Sequence, residues 1–320
     1  MEQLAYTHDV LHELTRVVLF LFEFFNGAYM PISRVFHTLT LLAALALSPC
    51  TAAKNIILDM NGVITKTDKA TAFWLTGPKV LVWYFSHNPH MVPSSSHKIR
   101  YKLLYPLLNN VMAPRSDSIV IPDEEGIPMP QLMVDWMTGD LSSAQIRSLV
   151  SEALVLYPDL CAHNAERALM KSMTTMMFTP ALLAKVQKII PESKECIRMW
   201  KEQGHRLFII SNFDADTFAL IREQDPEFFD LFDDIIVSAH VGMVKPGKEI
   251  FEHTLVTNNL VRHDSLFIDD TPTNLDTAYQ CGIATVLCQN NDLTSLMPAV
   301  ESWLQTRAHD AEMNHVHITH

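Results

Sequence analysis

Basic residues are scarce in this chain: 24 lysines and arginines stand against 36 aspartates and glutamates, a formal net charge of −12. The deficit excludes a sequence-independent grip on nucleic acid, which needs a basic face to neutralise phosphates. A small phosphorylated partner stays compatible, because one lysine and a metal ion can offset the acidity locally. Cysteine is sparse too, with 5 in 320 residues. No pair of them has metal-ligand spacing with a second pair, which argues against a structural zinc site. Charged residues make up only 19% of the chain against 48% hydrophobic, a globular rather than a disordered composition. No internal repeat is present, and the largely apolar run from Val35 to Ser48 is shorter than the roughly 20 residues of a membrane span.

What the N-terminal region does have is a targeting pattern. From Met30 the chain reads Met-Pro-Ile-Ser-Arg, then the apolar run, then Pro49-Cys50-Thr51-Ala52-Ala53. A short cationic start, an apolar stretch and small residues before a cut predict a secretory signal over 30–53, cleaved after Ala53. Translation then starts at Met30, and the protein is exported to the periplasm or beyond, with no stable membrane span left after cleavage. The alternative is an amphipathic or core-packing N-terminal helix in a cytoplasmic protein. Pro49 before Cys50 argues against a lipid-modified cysteine. Loss of residues 1–53 removes four acids and two bases and leaves the charge near −10, so the acidic conclusion survives. Four cysteines then remain; Cys281 and Cys288 flank an apolar run and are expected as packed thiols.

Beyond residue 53 the pattern alternates. Asn55–Leu58 is a short apolar run leading into Asp59, with Gly62 allowing a sharp turn. Strands are predicted again at 206–211, 234–238, 266–269 and 284–288. Helices are predicted near 192–203, 214–223, 248–257, 273–280 and 293–306. Alternation of this kind specifies an α/β fold with a doubly wound parallel sheet covered on both faces. Residues 66–190 break it: Leu, Met, Ala and Trp recur at helical spacing, predicting a mostly helical module inserted into a core of 54–65 and 191–306. Residues 307–320 read as a flexible tail.

Three predicted strands end in Asp59, Ser211 and the pair Asp269-Asp270, and a loop, Gly242-Met243-Val244-Lys245-Pro246-Gly247, presents a lysine. Each is ordinary alone. Together, in this order at strand C-termini, they resemble the motifs of the haloacid dehalogenase-like hydrolase superfamily. Asp59 falls on its nucleophile motif, Ser211 on the second, Lys245 on the third, and Asp269-Asp270-Thr271-Pro272-Thr273-Asn274 on the fourth. The chain looks most like the capped sugar-phosphate phosphatases and the phosphatase domain of soluble epoxide hydrolases.

The resemblance implies a Rossmann-like core with a cap and a magnesium-dependent phosphomonoester hydrolysis through an aspartyl-phosphate on Asp59. Magnesium ligands would be Asp59, the backbone carbonyl of Asn61, Asp269 and Asp270, matching the preference of a hard cation for oxygen. Ser211 and the backbone N–H of Asn212 would hold the non-transferring oxygens, and Lys245 would offset charge on Asp59 and the phosphoryl group. The chain departs from the family at Asn61, where active phosphatases of this type usually carry an acid–base aspartate; such help is worth about 10²–10⁴-fold. Three readings stay open: good leaving groups, a proton from elsewhere such as the cap, or an impaired protein that binds phosphorylated ligands. A haloacid dehalogenase is a further alternative, opposed by the absent aromatic two residues after Asp59 and by the metal-suited acidic pair. In the cap, Trp74, Trp83, Tyr84 and Phe85 are expected as core or as a stacking surface. The basic stretch 96–102 is read as a solvated loop and helix start, and Trp136 and Asp140 as part of a closing loop.

Overall fold

Short, continuously apolar segments form the sheet because its strands are covered on both faces. The structure, a computed structural model, describes residues 53–94, 98–113, 120–123, 125–305 and 317–318. The expected signal over 30–53, apart from Ala53, and most of the tail lie outside the described residues. The strands are β1 (Asn55–Leu58), β2 (Thr65–Thr67), β3 (Gln187–Ile189), β4 (Arg206–Ser211), β5 (Asp234–Val237), β6 (Ser265–Asp269), β7 (Ala284–Leu287) and β8 (His317–Ile318). Among the described residues one sheet runs in the order β5-β4-β1-β6-β7-β8, with every pairing parallel.

β1 lies at the centre, with β4 on one side and β6 on the other, so strand order reverses beside it. A crevice forms outside the carboxyl ends of the strands at such a switch point. Leu58 is level with Ile209 of β4 and Ile268 of β6. Asp59 therefore leaves β1 between the ends of its two neighbours. Alternation sends Ile56 and Leu58 to one face, among Trp200, Ile209 and Val237. Ile57 goes to the other, among Phe208, Phe251 and Phe267. All three are fully buried, each contributing about 1.5–3 kcal/mol of apolar burial.

Helices Pro191–Glu202, Ala215–Arg222, Lys248–Thr257 and Pro272–Gln280 separate the core strands, within a residue or two of their predicted limits. The first ends at Gly204, whose positive φ of 87° permits the reversal into β4. Ser238, predicted to end a strand, instead opens the one-turn helix Ser238–Val241. The predicted helix 293–306 begins as a 3-10 turn, Thr294–Leu296, and becomes α-helical over Met297–Leu304. His317–Ile318 lie parallel to Thr285–Val286 rather than fraying away. The four cysteines Cys161, Cys196, Cys281 and Cys288 are buried free thiols.

Between β2 and β3 the chain is helical. Those two strands pair antiparallel, Thr65 with Ile189 and Thr67 with Gln187, and form the stem of the inserted module. Its helices include Lys69–Thr76, Pro78–His87, Gln131–Met137, Ser143–Leu156 and Asn164–Met177. Their starts are written locally: Asp68 caps the first, and Ser142 with Gln145 forms a capping box on Ser143–Leu156. They bury a hydrophobic cluster of their own around Tyr84, Leu108, Leu132, Ile146, Leu169 and Phe178. No helix among the described residues is long and apolar enough to cross a membrane.

Several contacts fasten the module to the core. The Ser238 hydroxyl donates to the Met137 carbonyl at 2.6 Å. Gly139, at φ 82°, lies so close to Ala239 that a Cβ there would stand 2.7 Å from the Ala239 carbonyl oxygen. Val244, in the lysine-bearing loop, packs into the cap cluster and so belongs to both layers.

Candidate active site

The strand ends converge as the topology requires. Asp59 follows β1, Ser211 ends β4 and Asp269 ends β6, and all three are buried. Lys245 enters from the loop between Gly242 and Gly247, and its ammonium is held between two carboxylates. Nζ donates to Asp59 Oδ1 at 2.5 Å and to Asp269 Oδ2 at 2.7 Å. Lys245 is 1% exposed, so this ion pair sits in a low-dielectric environment and not in water.

A second layer fixes those groups. Asn274, one turn into helix Pro272–Gln280, donates through Nδ2 to both oxygens of Asp269 at 3.1 Å. The Thr271 N–H donates to Asp269 Oδ1 at 2.8 Å. Asn212 binds the lysine loop reciprocally: Nδ2 donates to the Lys245 carbonyl and Oδ1 accepts from the Lys245 N–H, each at 2.8 Å. Asn212 was expected to meet substrate through its backbone N–H; its side chain is engaged in positioning Lys245.

The turn after Asp59 has no room for another residue type at position 62. Gly62 has φ 93°, and a Cβ would stand 2.0 Å from Asp270 Oδ2. Its N–H donates to the Thr65 carbonyl at 2.7 Å, closing the turn. Asn61 and Asp270, both exposed, flank this turn at the cleft mouth.

The electrostatics follow from burial and proximity. Burial pushes the carboxyl of Asp59 up to about 7, Lys245 opposes this, and the nearby Asp269 and Asp270 reinforce it. Burial alone would lower Lys245, but Asp269 and Asp59 outweigh it and hold the ammonium above its ordinary value. Lys245 therefore stays charged. Oxygen atoms of Asp59, Asp269 and Asp270 lie within 4.8 Å of one another. Three clustered carboxylates, two of them paired with one ammonium, leave a surplus of negative charge on hard oxygen donors, which fits a magnesium ion.

These residues line one side of a cleft of about 390 Å³, within the usual size of small-molecule sites. The other side comes from the cap: Arg100, Leu104, Tyr105, Pro122, Asp123 and several methionines. Asp123 was invisible as a site residue in the sequence. Its Oδ2 accepts from the hydroxyls of Tyr101 at 2.6 Å and Tyr105 at 2.9 Å. Its Oδ1 accepts from the N–H groups of Ile127 at 2.9 Å and Glu125 at 3.0 Å. Burial would raise this carboxyl, but the four hydrogen bonds prevail and hold it below the usual range. The same contact and burial push Tyr101 up to about 12 and Tyr105 higher still. The local signal was Asp123 with Gly126, an aspartate-led turn; the tyrosine partners, 18 and 22 residues away, left none.

The four cap aromatics singled out in the sequence do not line this cleft. Trp74 is 70% exposed, Trp83 is exposed, and Tyr84 and Phe85 pack in or against the cap cluster. Trp136 is buried, with its indole N–H donating to Ser143 Oγ at 2.9 Å, and Asp140 accepts from the Thr138 hydroxyl. Within the basic stretch, Arg100 lines the cleft and is not merely a solvated helix start.

Comparison with known proteins shows the family of this chain. An 87-residue stretch is 36% identical to a sesquiterpene phosphatase of Aspergillus oryzae, covering 27% of this chain and 44% of that one. A 116-residue stretch is 28% identical to bifunctional epoxide hydrolase 2 of Rattus norvegicus, covering 35% and 21%. The chain spans less than half the length of these curated relatives. A haloacid dehalogenase family enzyme of Bacteroides thetaiotaomicron shares the fold with a TM-score of 0.50 at 15% identity, over 77% of this chain and 98% of that one. The profile of the haloacid dehalogenase-like hydrolases matches residues 53–282, a span that takes in Asp59, Ser211, Lys245, Asp269 and Asp270. This chain belongs to the haloacid dehalogenase-like hydrolases.

Proposed function

We propose that this hydrolase cleaves small phosphate esters, with Asp59 as nucleophile. The observation that carries the reading is the buried Lys245 ammonium shared between Asp59 and Asp269 at the carboxyl edge of the sheet. An anionic ester approaches a carboxylate only where positive charge is preorganised, and here it is. Asp59 attacks phosphorus, the ester oxygen departs, and water then cleaves the aspartyl-phosphate. Ser211 and the backbone N–H of Asn212 would hold the non-transferring oxygens. Asp59, the Asn61 carbonyl, Asp269 and Asp270 would hold magnesium. When bound, the ion neutralises phosphoryl charge during transfer. The sesquiterpene phosphatase similarity supports the phosphatase reading.

The amide at Asn61 favours a second reading, a protein that binds phosphorylated ligands with little turnover. Steady-state hydrolysis of p-nitrophenyl phosphate with magnesium separates the two. Wild type is expected to turn over, and Asp59→Asn to lose at least about 10³-fold. Asn61→Asp is expected to gain about 10²–10⁴-fold on esters with poor leaving groups. An inactive wild type beside an active Asn61→Asp would establish the binding reading instead, and full activity in Asp59→Asn would discard the site.

A further inference from the structure

Two features of the cleft are not explained by the phosphoryl site itself: the character of its roof and, among the described residues, the lack of a proton donor. On the roof, Met129, Met133 and Met137 follow one another at four-residue spacing, and Met177 joins them from the end of helix Asn164–Met177. Met133 and Met137 share one face of helix Gln131–Met137, and all four line the same cleft as Asp59 and Lys245. Unbranched thioethers adapt to an apolar body of irregular shape. A hydroxyl-rich body finds little here, since both oxygens of Asp123 and the hydroxyl of Tyr105 are already joined to each other and to backbone N–H groups.

The proton is the second constraint. Among the described residues, the ionisable groups lining the cleft besides Asp59 are Arg100, Tyr105, Asp123, Lys245 and Asp270. Asp123 accepts four hydrogen bonds and holds its charge. Tyr105 keeps its proton in the bond to Asp123, Lys245 is pinned between carboxylates, and an arginine does not deprotonate. Asp270 belongs to the acidic trio around the phosphoryl position. With an amide at position 61, the departing oxygen leaves as an anion. An alkoxide does so poorly. An alkyl phosphate, with a second pKa of about 6, does so readily. Arg100, which also engages Tyr101, places a second cation on the roof, and the five donors of its fork suit a phosphate that is not transferred.

We infer that the preferred substrate is a diphosphate ester of an aliphatic chain, cleaved at its terminal phosphoryl group, with the chain against the methionine roof and the inner phosphate at Arg100. The inference rests on the phosphatase reading above. Asp59 Oδ bonds to the terminal phosphorus as the bridging P–O bond breaks with its electron pair, and the alkyl monophosphate leaves as an anion. Water then cleaves the aspartyl-phosphate, returning the Asp59 carboxylate and inorganic phosphate.

The test is magnesium-supported release of inorganic phosphate from geranyl diphosphate, geranyl monophosphate, acetyl phosphate, ribose 5-phosphate and p-nitrophenyl phosphate by the full chain. Geranyl diphosphate is expected to exceed geranyl monophosphate in kcat/KM by about 100-fold, with geranyl monophosphate accumulating as product. Arg100→Ala should lower kcat/KM for the diphosphate about tenfold more than for p-nitrophenyl phosphate. Met133→Asn should lower geranyl diphosphate turnover about tenfold more than turnover of inorganic pyrophosphate, which has no chain. Equal efficiency on the two geranyl esters, or preference for acetyl phosphate or ribose 5-phosphate, overturns the inference. If p-nitrophenyl phosphate is hydrolysed through Asp59 while the diphosphate is not preferred, the phosphatase reading stands and this inference falls. If no ester is turned over, both fall together.

Discussion

The ammonium in the floor of the cleft is held by bonds that span much of the chain, whereas the carboxylate in its roof takes its bonds from nearer in the sequence. Lys245 reaches Asp59 across 186 positions. Asp123 takes its partners from within 22 positions, and the side chains of the methionines beside it pack in or against the apolar cluster of the cap. The floor is nearly sealed, with Lys245 at 1% and Asp269 at 0% exposure, while Met129, Met133 and Met177 are half-buried. The contrast teaches a division of labour. Charge must be positioned before reaction and cannot relax, so the floor is rigid and reciprocal. Selection among organic groups tolerates adjustment, so the roof is soft.

Three substitutions probe that contrast, in falling order of effect. Lys245→Met leaves the carboxylates of Asp59 and Asp269 buried without their cation, and it should cost about 3–5 kcal/mol in urea denaturation with a chelator present. A variant as stable as wild type would show that the floor is not held by this pair. Gly62→Ala forces a side chain into the left-handed region and against Asp270, so a loss of about 1–3 kcal/mol is expected. Added magnesium should recover less of that loss than of the Lys245→Met loss, because Asp270 is displaced; equal recovery would contradict the crowding argument.

The smallest effect belongs to the roof. Tyr105→Phe removes one of four hydrogen bonds to the Asp123 carboxylate and should cost about 1 kcal/mol at pH 7. Because those bonds lower the folded-state pKa of Asp123, their contribution is complete above the unfolded value near 3.9 and fades as the pH falls through the folded one. The urea midpoints of wild type and variant should therefore converge towards pH 3. A constant gap between pH 7 and pH 3 would mean that Asp123 is not the charged acceptor.

Much of the floor was legible in the sequence. Asp59, Ser211 and Asp269-Asp270 each end a short apolar run, and period and punctuation locate such ends to a residue or two. Helix Lys248–Thr257 has its predicted limits for the same reason. The role of the Asn212 side chain was not legible, since a residue beside a strand end can face ligand or neighbouring loop, and only the path of 242–247 decides. The cap was legible as helical but not as a surface. Helical spacing predicts which residues are apolar, not which of several buried faces turns towards a cleft. Trp74 and Trp83, the natural choices for stacking, are turned outward, and unremarkable methionines line the site.

By itself the sequence determined the alternation of strands and helices, the place of the inserted module and the amide at Asn61, because these depend on local period, turn chemistry and residue identity. Tertiary structure alone decided that Lys245 lies between Asp59 and Asp269, that Asn274 and Asn212 restrain that arrangement, and that Asp123 is saturated and unable to act as an acid. The physical reason is clearest for Lys245 and Asn212, whose partners lie 24 to 186 positions away. A hydrogen bond between residues distant in the chain needs both ends delivered by the packing of the whole sheet and cap, and no local pattern encodes that meeting.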